Sequence, residues 1–566
     1  MINLIQLVKE QIENCIFSAC EKGYSAELLE GVRDMAIEVE TPKDPANGDF
    51  STNFCMQAAK KLRSAPGQIA KIVVENMDLA GTYFEKAEQK GPGFINFTLN
   101  QTFFVDTLQA IQKMGKDYGK TDFGQKKKVL VEFVSANPTG PMHIGNARGG
   151  VIGDCLSECL SWAGYDVSRE FYVNDAGNQV EKFYESLWAR YVQNLLGEDA
   201  CVFPEDGYHG DDIKERVREF IALYGDVYLN APKEDGKKAL VDYALTKNVD
   251  GLKNDLGRYR IVYDTWFHES ELYNQGDVEE TLALLKKGKY TYERDGAIWF
   301  LATEFGCEKD EVLVRANGLC TYFAADIAYH RNKILKRGFM HCIDVWGADH
   351  HGHVARMKGA LDAVGLDGNQ LDVVLMQLVR LVADGEVIKV SKRSGKAISL
   401  TDLLDEVGVD AARFFFNTRA SDTHLEFDLE LAKENSSQNP VYYVQYAHAR
   451  ICSILRLIEK EGERIETVCA QADKLSNLIE VQERELMDLL ARFPEEVRQV
   501  ALQYEPARII NYILQVAASF HRFYNAHRVN CEDAALRQSR IVLVKSVQIV
   551  LENALSILKV TAPEKM

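Results

Sequence analysis

The feature that most constrains the fold is a junction between residues 129 and 153. An apolar run, Val129-Leu130-Val131-Glu132-Phe133-Val134, passes through the turn-rich Ser135-Ala136-Asn137-Pro138-Thr139-Gly140-Pro141 into His143-Ile144-Gly145-Asn146 and then a small-residue helical pattern. A short apolar run bounded by turn residues reads as a buried strand. His143 and Asn146, three apart, then fall on the opening turn of a helix, where free backbone N–H groups and the helix dipole favour phosphate. Gly145 between them leaves room for a flat base to approach the backbone. Far downstream, Lys389-Val390-Ser391-Lys392-Arg393 offers point charges followed by Ser394 and Gly395, a loop able to close over a polyphosphate and reopen. The two segments read as the halves of an ATP site.

The rest of the chain divides around this junction. A length of 566 residues exceeds what one core serves, so three domains are expected. From 1 to about 115, helical patterns over 3–22 and 52–78 flank the turn-rich DPANGDFSTN and a strand-like GPGFINFTLN. From about 116 to 430, strand-like runs (VLVEFV, VSREFYV, AIWFLA, HCIDVWG, DVVLMQLVRL) alternate with helical stretches, the pattern of a doubly wound parallel sheet. The polar stretch 178–290 is longer than one crossover and reads as a mostly helical insertion. After Pro440 the pattern is helical to the end, with Pro494 placed to start a helix before EEVRQV and Pro563 beyond the last one.

Hydrophobic content of 46% and charged content of 27% fit a folded domain protein, and no apolar run approaches the length expected of a membrane span. The opening MINLIQLVKEQIENCIF carries charges at helical spacing, an amphipathic helix and not a signal peptide. Twelve cysteines occur singly without CxxC pairs, which points to reduced thiols in a cytoplasmic protein and away from structural zinc. The net charge of −18 argues against a nucleic-acid partner. RNA binding needs only local basic stripes, however, and Arg450, Arg456, Arg492, Arg498, Arg508, Arg522 and Arg528 interleave with Tyr443, Tyr446 and Tyr524.

HIGN, KVSKR and the later run Thr321–His330 (TYFAADIAYH) resemble the signatures of class I aminoacyl-tRNA synthetases and, with SANPTGP before HIGN, those of the arginyl-tRNA synthetase family over essentially the whole chain. The resemblance implies a Rossmann-like catalytic domain over 116–430. It adds an α+β domain over 1–115 that contacts the tRNA elbow and an all-α anticodon-binding domain over 431–566. The implied reaction joins arginine to arginine tRNA with ATP and Mg2+, in a monomer without membrane association or a tightly bound metal. Amino-acid activation needs no enzyme nucleophile, so catalysis rests on alignment and electrostatics. His143 and Asn146 would meet the phosphates, and Lys389, Ser391, Lys392 and Arg393 the leaving pyrophosphate. Asn146 stands where the family usually has histidine, so positive charge at that position is ruled out.

Read alone, Trp346-Gly347-Ala348-Asp349-His350-His351-Gly352-His353 admits a metal site; the resemblance makes it the adenosine site, with Gly347 and Asp349 at the ribose and His350 or His353 at the base or phosphate edge. Tyr322 and Asp326, four apart on a helix start, share a face suited to a guanidinium, carboxylate at its edge and ring on its plane. The family pattern adds Glu132 and Asn137 to the arginine site, and Tyr524 and Met566 to the anticodon face. Phe94 and Asn96, two apart on a strand, suit one splayed RNA base. The competing readings are another class I synthetase, a small nucleotidyltransferase and an RNA-binding paralogue without catalysis.

Overall fold

The computed structural model describes residues 3–140, 142–388, 398–470 and 475–566. Lys389, Ser391, Lys392 and Arg393 lie outside the described residues.

The N-terminal block runs α1 (Leu4–Gly23), α2 (Ala26–Leu29), β1 (Val39–Glu40), β2 (Phe50–Thr52), α3 (Phe54–Ala58), α4 (Pro66–Asn76), β3 (Phe84–Lys90), β4 (Phe94–Leu99) and α5 (Gln101–Met114). Asn3 caps α1 by accepting from the Gln6 amide, and Leu4, Val8, Ile12, Ile16 and Ala19 form its buried stripe. The single helix expected over 52–78 is two helices. Arg63 takes a positive φ, and Pro66, which has no N–H to offer a helix interior, opens α4 instead. DPANGDFSTN also holds more than turns, because Phe50–Thr52 joins the antiparallel sheet ordered β1-β2-β4-β3.

The central layer begins with β5 (Lys128–Glu132), α6 (Ile144–Trp162) and β6 (Asp166–Val173), followed by α7 (Asn178–Leu196), α8 (Asp211–Tyr224) and α9 (Lys233–Arg258). It continues through β7 (Thr265–His268), α10 (Glu269–Asn274), α11 (Asp277–Lys287), β8 (Thr291–Arg294), β9 (Ala297–Phe300), β10 (Glu311–Val314), α12 (Tyr322–Arg331), β11 (His341–Gly347), α13 (His351–Ala363) and β12 (Leu371–Met376). The five-stranded sheet is ordered β12-β11-β5-β6-β7 and is parallel throughout, the expected doubly wound form. β5 lies between β6, which follows it, and β11, which the chain reaches only after crossing back. That reversal opens a crevice at the carboxyl ends of β5 and β11. Gly153 lets α6 close on the loop after β5, since a Cβ there would stand 2.2 Å from the Phe133 ring.

Three expectations for this layer need correction. The insertion expected over 178–290 ends sooner: α7, α8 and α9 share an aromatic cluster around Phe183, Tyr191 and Phe220, whereas Thr265–His268 is the outer strand of the central sheet. The run AIWFLA lies outside the parallel sheet; β9 pairs antiparallel with β8 and β10. DVVLMQLVRL breaks after Met376, and its second half, β13 (Val379–Ala383), pairs with β14 (Glu386–Ile388) and β15 (Leu425–Asp428). Between them lie α14 (Leu400–Val407) and α15 (Val409–Phe416), and α16 (Leu429–Lys433) follows.

The last block is helical: α17 (Pro440–Lys460), α18 (Ile465–Ala470), α19 (Val481–Gln503), α20 (Ala507–Ala526) and α21 (Ala534–Leu558). By composition α21 is long and apolar enough to cross a bilayer, contrary to the sequence expectation, but 78% of its most apolar window is buried in the protein. Pro494 does not start a helix; it lies inside α19. A proline there strips the carbonyl four residues back of its helical donor. The buried Tyr118 hydroxyl, from the segment between α5 and β5, supplies the missing hydrogen bond to Leu490 O at 2.9 Å. Tyr118→Phe therefore leaves a buried carbonyl unpaired and should cost about 1–3 kcal/mol. Denaturant unfolding followed on the C-terminal helices checks this, and an unchanged midpoint would contradict it.

Candidate active site

Two adjoining cavities occupy the carboxyl ends of the sheet. The first, about 810 Å³, is lined by Glu132 and Asn137 after β5, Tyr172 and Asn174 after β6, Glu269 after β7, Tyr322 and Asp326 on α12, and Gly347, Asp349, His350 and His353 after β11. The second, about 870 Å³, shares Val134, Ser135 and Asn137 with it and adds His143, Asn146 and the α8 approach Tyr208–Asp212. The tertiary structure thus gathers Glu132, Asn137, Tyr322, Asp326, Gly347, Asp349, His350 and His353 around one space and sets His143 and Asn146 beside it.

Each group is placed by local backbone. Val134 and Ser135 both carry positive φ, turning the chain sharply out of β5 so that Asn137 reaches both cavities. His143 is the N-cap residue of α6 and makes no side-chain cap, which leaves the first-turn amides to an incoming anion. A Cβ on Gly145 would meet nothing within 4 Å, so this turn is open. His143 also bridges to Ser399, and Leu400 N donates to Met142 O at 2.9 Å. The downstream flank of the KVSKR segment is thereby fixed against HIGN.

The first cavity is built for a cation. Six carboxylates line it, Glu132, Glu269, Glu311, Asp326, Asp344 and Asp349. Glu132 and Asp344 share the fully buried Lys333 beneath them, at 2.6 and 3.0 Å, and burial together with the Asp344 charge raises the Glu132 carboxyl. Lys333 belongs to a π-helical turn, Asn332–Lys336, that directly extends α12. Burial opposes its charge, but the two carboxylates prevail and hold it protonated above the ordinary lysine range. Asp344 also meets His330 at 2.7 Å; burial works against its charge, yet Lys333 and His330 bring it down to about 2. Glu311 is paired with Arg356.

Glu269 and Asp326 are different. Among the described residues no lysine or arginine pairs with either, and Asp326 has only His353 at 3.2 Å. Burial, reinforced by the nearby Asp326 charge, pushes Glu269 up to about 7. Two carboxylates beside the exposed Tyr322 ring make a receptor for a planar, multiply donating cation.

Sequence reading missed Glu269, Tyr172 and Lys333. The usable signal for Glu269 was TWFH, an aromatic and β-branched run whose strand ends one residue before it, but it was hidden in a polar stretch. Two other expectations fare unevenly. Asn96 is only 4% exposed and its Oδ1 accepts from Ser51 Oγ at 2.7 Å, so Phe94 and Asn96 share a strand without forming an open base platform. Most of the C-terminal arginines are already paired: Arg492 with Asp488, Arg498 with Glu495, Arg508 with Glu496 and Arg522 with Glu485. Arg450 instead lies 4.7 Å over the Tyr524 ring and 5.6 Å over Tyr446, which stacks parallel to Tyr442. Met566, at the chain end, is 53% exposed.

Comparison with known proteins shows the family. Residues 3–99 match the family model of the arginyl-tRNA synthetase N-terminal domain, 107–452 that of the class I (R) catalytic domain, and 444–566 that of the DALR anticodon binding domain. The arginine–tRNA ligase of Caldanaerobacter subterraneus subsp. tengcongensis is 54% identical over 568 residues, and that of Acetivibrio thermocellus 53% over 566, each alignment covering 100% of both chains. The chain belongs to the arginyl-tRNA synthetase family. The Thermus thermophilus arginyl-tRNA synthetase shares its fold, with a TM-score of 0.76 at 23% identity over 99% of this chain and 100% of that one.

Were arginine, the amino-acid substrate of the family, to occupy this cavity, Glu269 would leave a testable signature. A guanidinium binds the carboxylate form, and Glu269 holds its proton up to about 7 in the free protein. Below that pH binding must expel the proton, so the arginine KM should rise as pH falls from about 8 to 6, by up to about tenfold per unit. Steady-state kinetics across this range should show the slope in the wild type and not in Glu269→Gln; a variant that kept the slope would exclude Glu269.

Proposed function

We propose that this arginine–tRNA ligase activates arginine and transfers it to the terminal ribose of arginine tRNA with the following division of labour. The substrate guanidinium lies between Glu269 and Asp326 with its plane on Tyr322. Asn137, which faces both cavities, receives the α-amino and carboxylate end. Glu132, bound to Lys333 and accepting from Ser135 Oγ at 2.8 Å, shapes the floor of the pocket. The adenosine takes the Gly347, Asp349, His350 and His353 side, and His143, Gly145 and Asn146 receive the phosphates at the start of α6. Lys389, Ser391, Lys392 and Arg393 close over the pyrophosphate that leaves when the arginine carboxylate attacks the α-phosphorus. Mg2+ enters with ATP as its counter-ion.

The observation that carries this reading is the pair Glu269 and Asp326, acidic and without a lysine or arginine partner among the described residues, directly beside the amide-rich start of α6. A cation site and an anion site one short loop apart match the two substrates of arginine activation. Asn146 donates but carries no charge, so the positive charge in the transition state comes from the KVSKR lysines and Mg2+.

For tRNA, the aromatic face of Tyr442, Tyr446, Arg450 and Tyr524, together with the exposed Met566, is the anticodon contact. The N-terminal block, with Phe94, meets the elbow. The chain divides into domains at 1–115, 116–430 and 431–566, a reading supported by three successive family matches, over 3–99, 107–452 and 444–566. Twelve unpaired thiols support a reducing cytoplasmic setting, and the active form is a monomer.

Arginine-dependent pyrophosphate exchange in the presence of arginine tRNA tests the assignments. Asp326→Ala should raise the arginine KM about a hundredfold or more, a loss on the order of 3 kcal/mol, with ATP saturation nearly intact. Near-normal arginine saturation would remove Asp326 from the pocket. Lys392→Ala should lower the exchange turnover and leave arginine saturation much less affected, because its charge is needed where pyrophosphate accumulates. Wild-type turnover would show the loop to be a solvated basic turn.

A further inference from the structure

The helix that carries HIGN is gripped by the C-terminal helical block through one buried carboxylate. Asp154 lies eight residues beyond Asn146 on α6, roughly 12 Å along the helix. It is fully buried and has two cationic partners from outside the sheet. Arg413 of α15, itself fully buried, donates to Asp154 Oδ2 at 2.6 Å. Lys559, the residue that ends α21, donates to Asp154 Oδ1 at 2.6 Å. Arg413 also holds Leu558 O at 2.7 Å and Tyr259 O at 2.8 Å, so one guanidinium ties α6, the end of α9 and the end of α21.

The junction continues into the tail. Lys559 adopts a left-handed backbone that turns the chain out of α21, and its carbonyl accepts from Arg260 at 2.6 Å. Thr561 hydrogen-bonds Asp410 of α15, which also accepts from Gln445 of α17 at 3.0 Å. Farther on, His448 holds Pro563 O at 2.9 Å and Arg456 holds Glu564 O at 2.6 Å. The tail is thus bonded to the catalytic layer at one end and to α17, the helix carrying Tyr446 and Arg450, at the other. On the catalytic side, α15 follows α14, whose cap Ser399 bridges to His143. Helix α6 is therefore held at its N-cap residue, His143, by the α14 cap and about three turns later, at Asp154, by Arg413 and Lys559.

We propose that Lys559 is a positioning residue for adenylate formation: its ammonium, delivered by the anticodon-binding block, fixes α6 and with it the His143 and Asn146 phosphate donors. This rests on the ligase reading of the site. Lys559 touches no substrate pocket, and its effect runs through Asp154 along a rigid helix, where a displacement of a fraction of an ångström at the phosphates slows the chemistry without weakening arginine binding. Arg413 keeps Asp154 paired when Lys559 is neutralised, so the fold survives the change.

The test is Lys559→Met in the full chain, assayed by arginine-dependent pyrophosphate exchange with arginine tRNA, alongside thermal unfolding. The expected result is an exchange kcat lower by about tenfold with an arginine KM within about twofold of wild type, and recovery in Lys559→Arg. A wild-type kcat overturns the proposal, as does a loss shared by kcat, arginine KM and thermal stability, which is the mark of interdomain glue alone. Absence of arginine-dependent exchange in the wild-type protein would instead overturn the ligase reading.

Discussion

The parallel pairing of β5 with β6 on one side and β11 on the other is the constraint on which the catalytic layer depends. It sets Glu132, the last residue of β5, against Asp344 in the middle of β11, two acids distant in sequence. Two acids meeting at the end of a buried sheet are untenable without a cation. Lys333 supplies it from the π-helical turn, whose extra residue redirects the chain after α12. The first cavity is therefore electrostatically settled below and unsettled above. The floor acids share the buried Lys333, and the upper pair, Glu269 and Asp326, has no lysine or arginine partner among the described residues.

The same economy of buried charge holds α6 in place. Arg148, two residues after HIGN, is fully buried and donates to three backbone carbonyls, Gln377 and Thr423 through one nitrogen and Ala420 through another. Burial lowers it to about 10, still far above neutral pH, so it stays charged. Its partners lie at the end of β12 and in the loop before β15, so α6 is pinned to the edge of the small sheet that β13, β14 and β15 form. Asp154 and Arg413 repeat the arrangement farther along. Buried ion pairs give little net stability, but removing one partner is costly, which makes them registration devices.

Much of this was legible in the residues. The apolar character of VLVEFV and HCIDVWG is dictated by burial on both faces of a parallel sheet, and the spacing of Tyr322 and Asp326 fixes their common face once a helix forms. What failed did so for physical reasons. AIWFLA carries the same residues as a central strand yet forms a peripheral hairpin, because β propensity reports burial and not which sheet provides it. Pro494 reads as a helix start only if its lost hydrogen bond has no substitute, and Tyr118, distant in sequence, provides one. Glu269 has no local signal beyond a four-residue strand.

The sequence by itself determined the strand of β5, the helix start at His143 and the aromatic and acidic face of α12, since each depends on neighbours within a few residues. Tertiary structure alone decided which carboxylates would be neutralised and which left open. Lys333 and Glu132 are 201 positions apart, and Lys559 and Asp154 are 405 apart. The charge state of a buried group is set by what the fold brings within about 4 Å of it, and that distance has no counterpart along the chain.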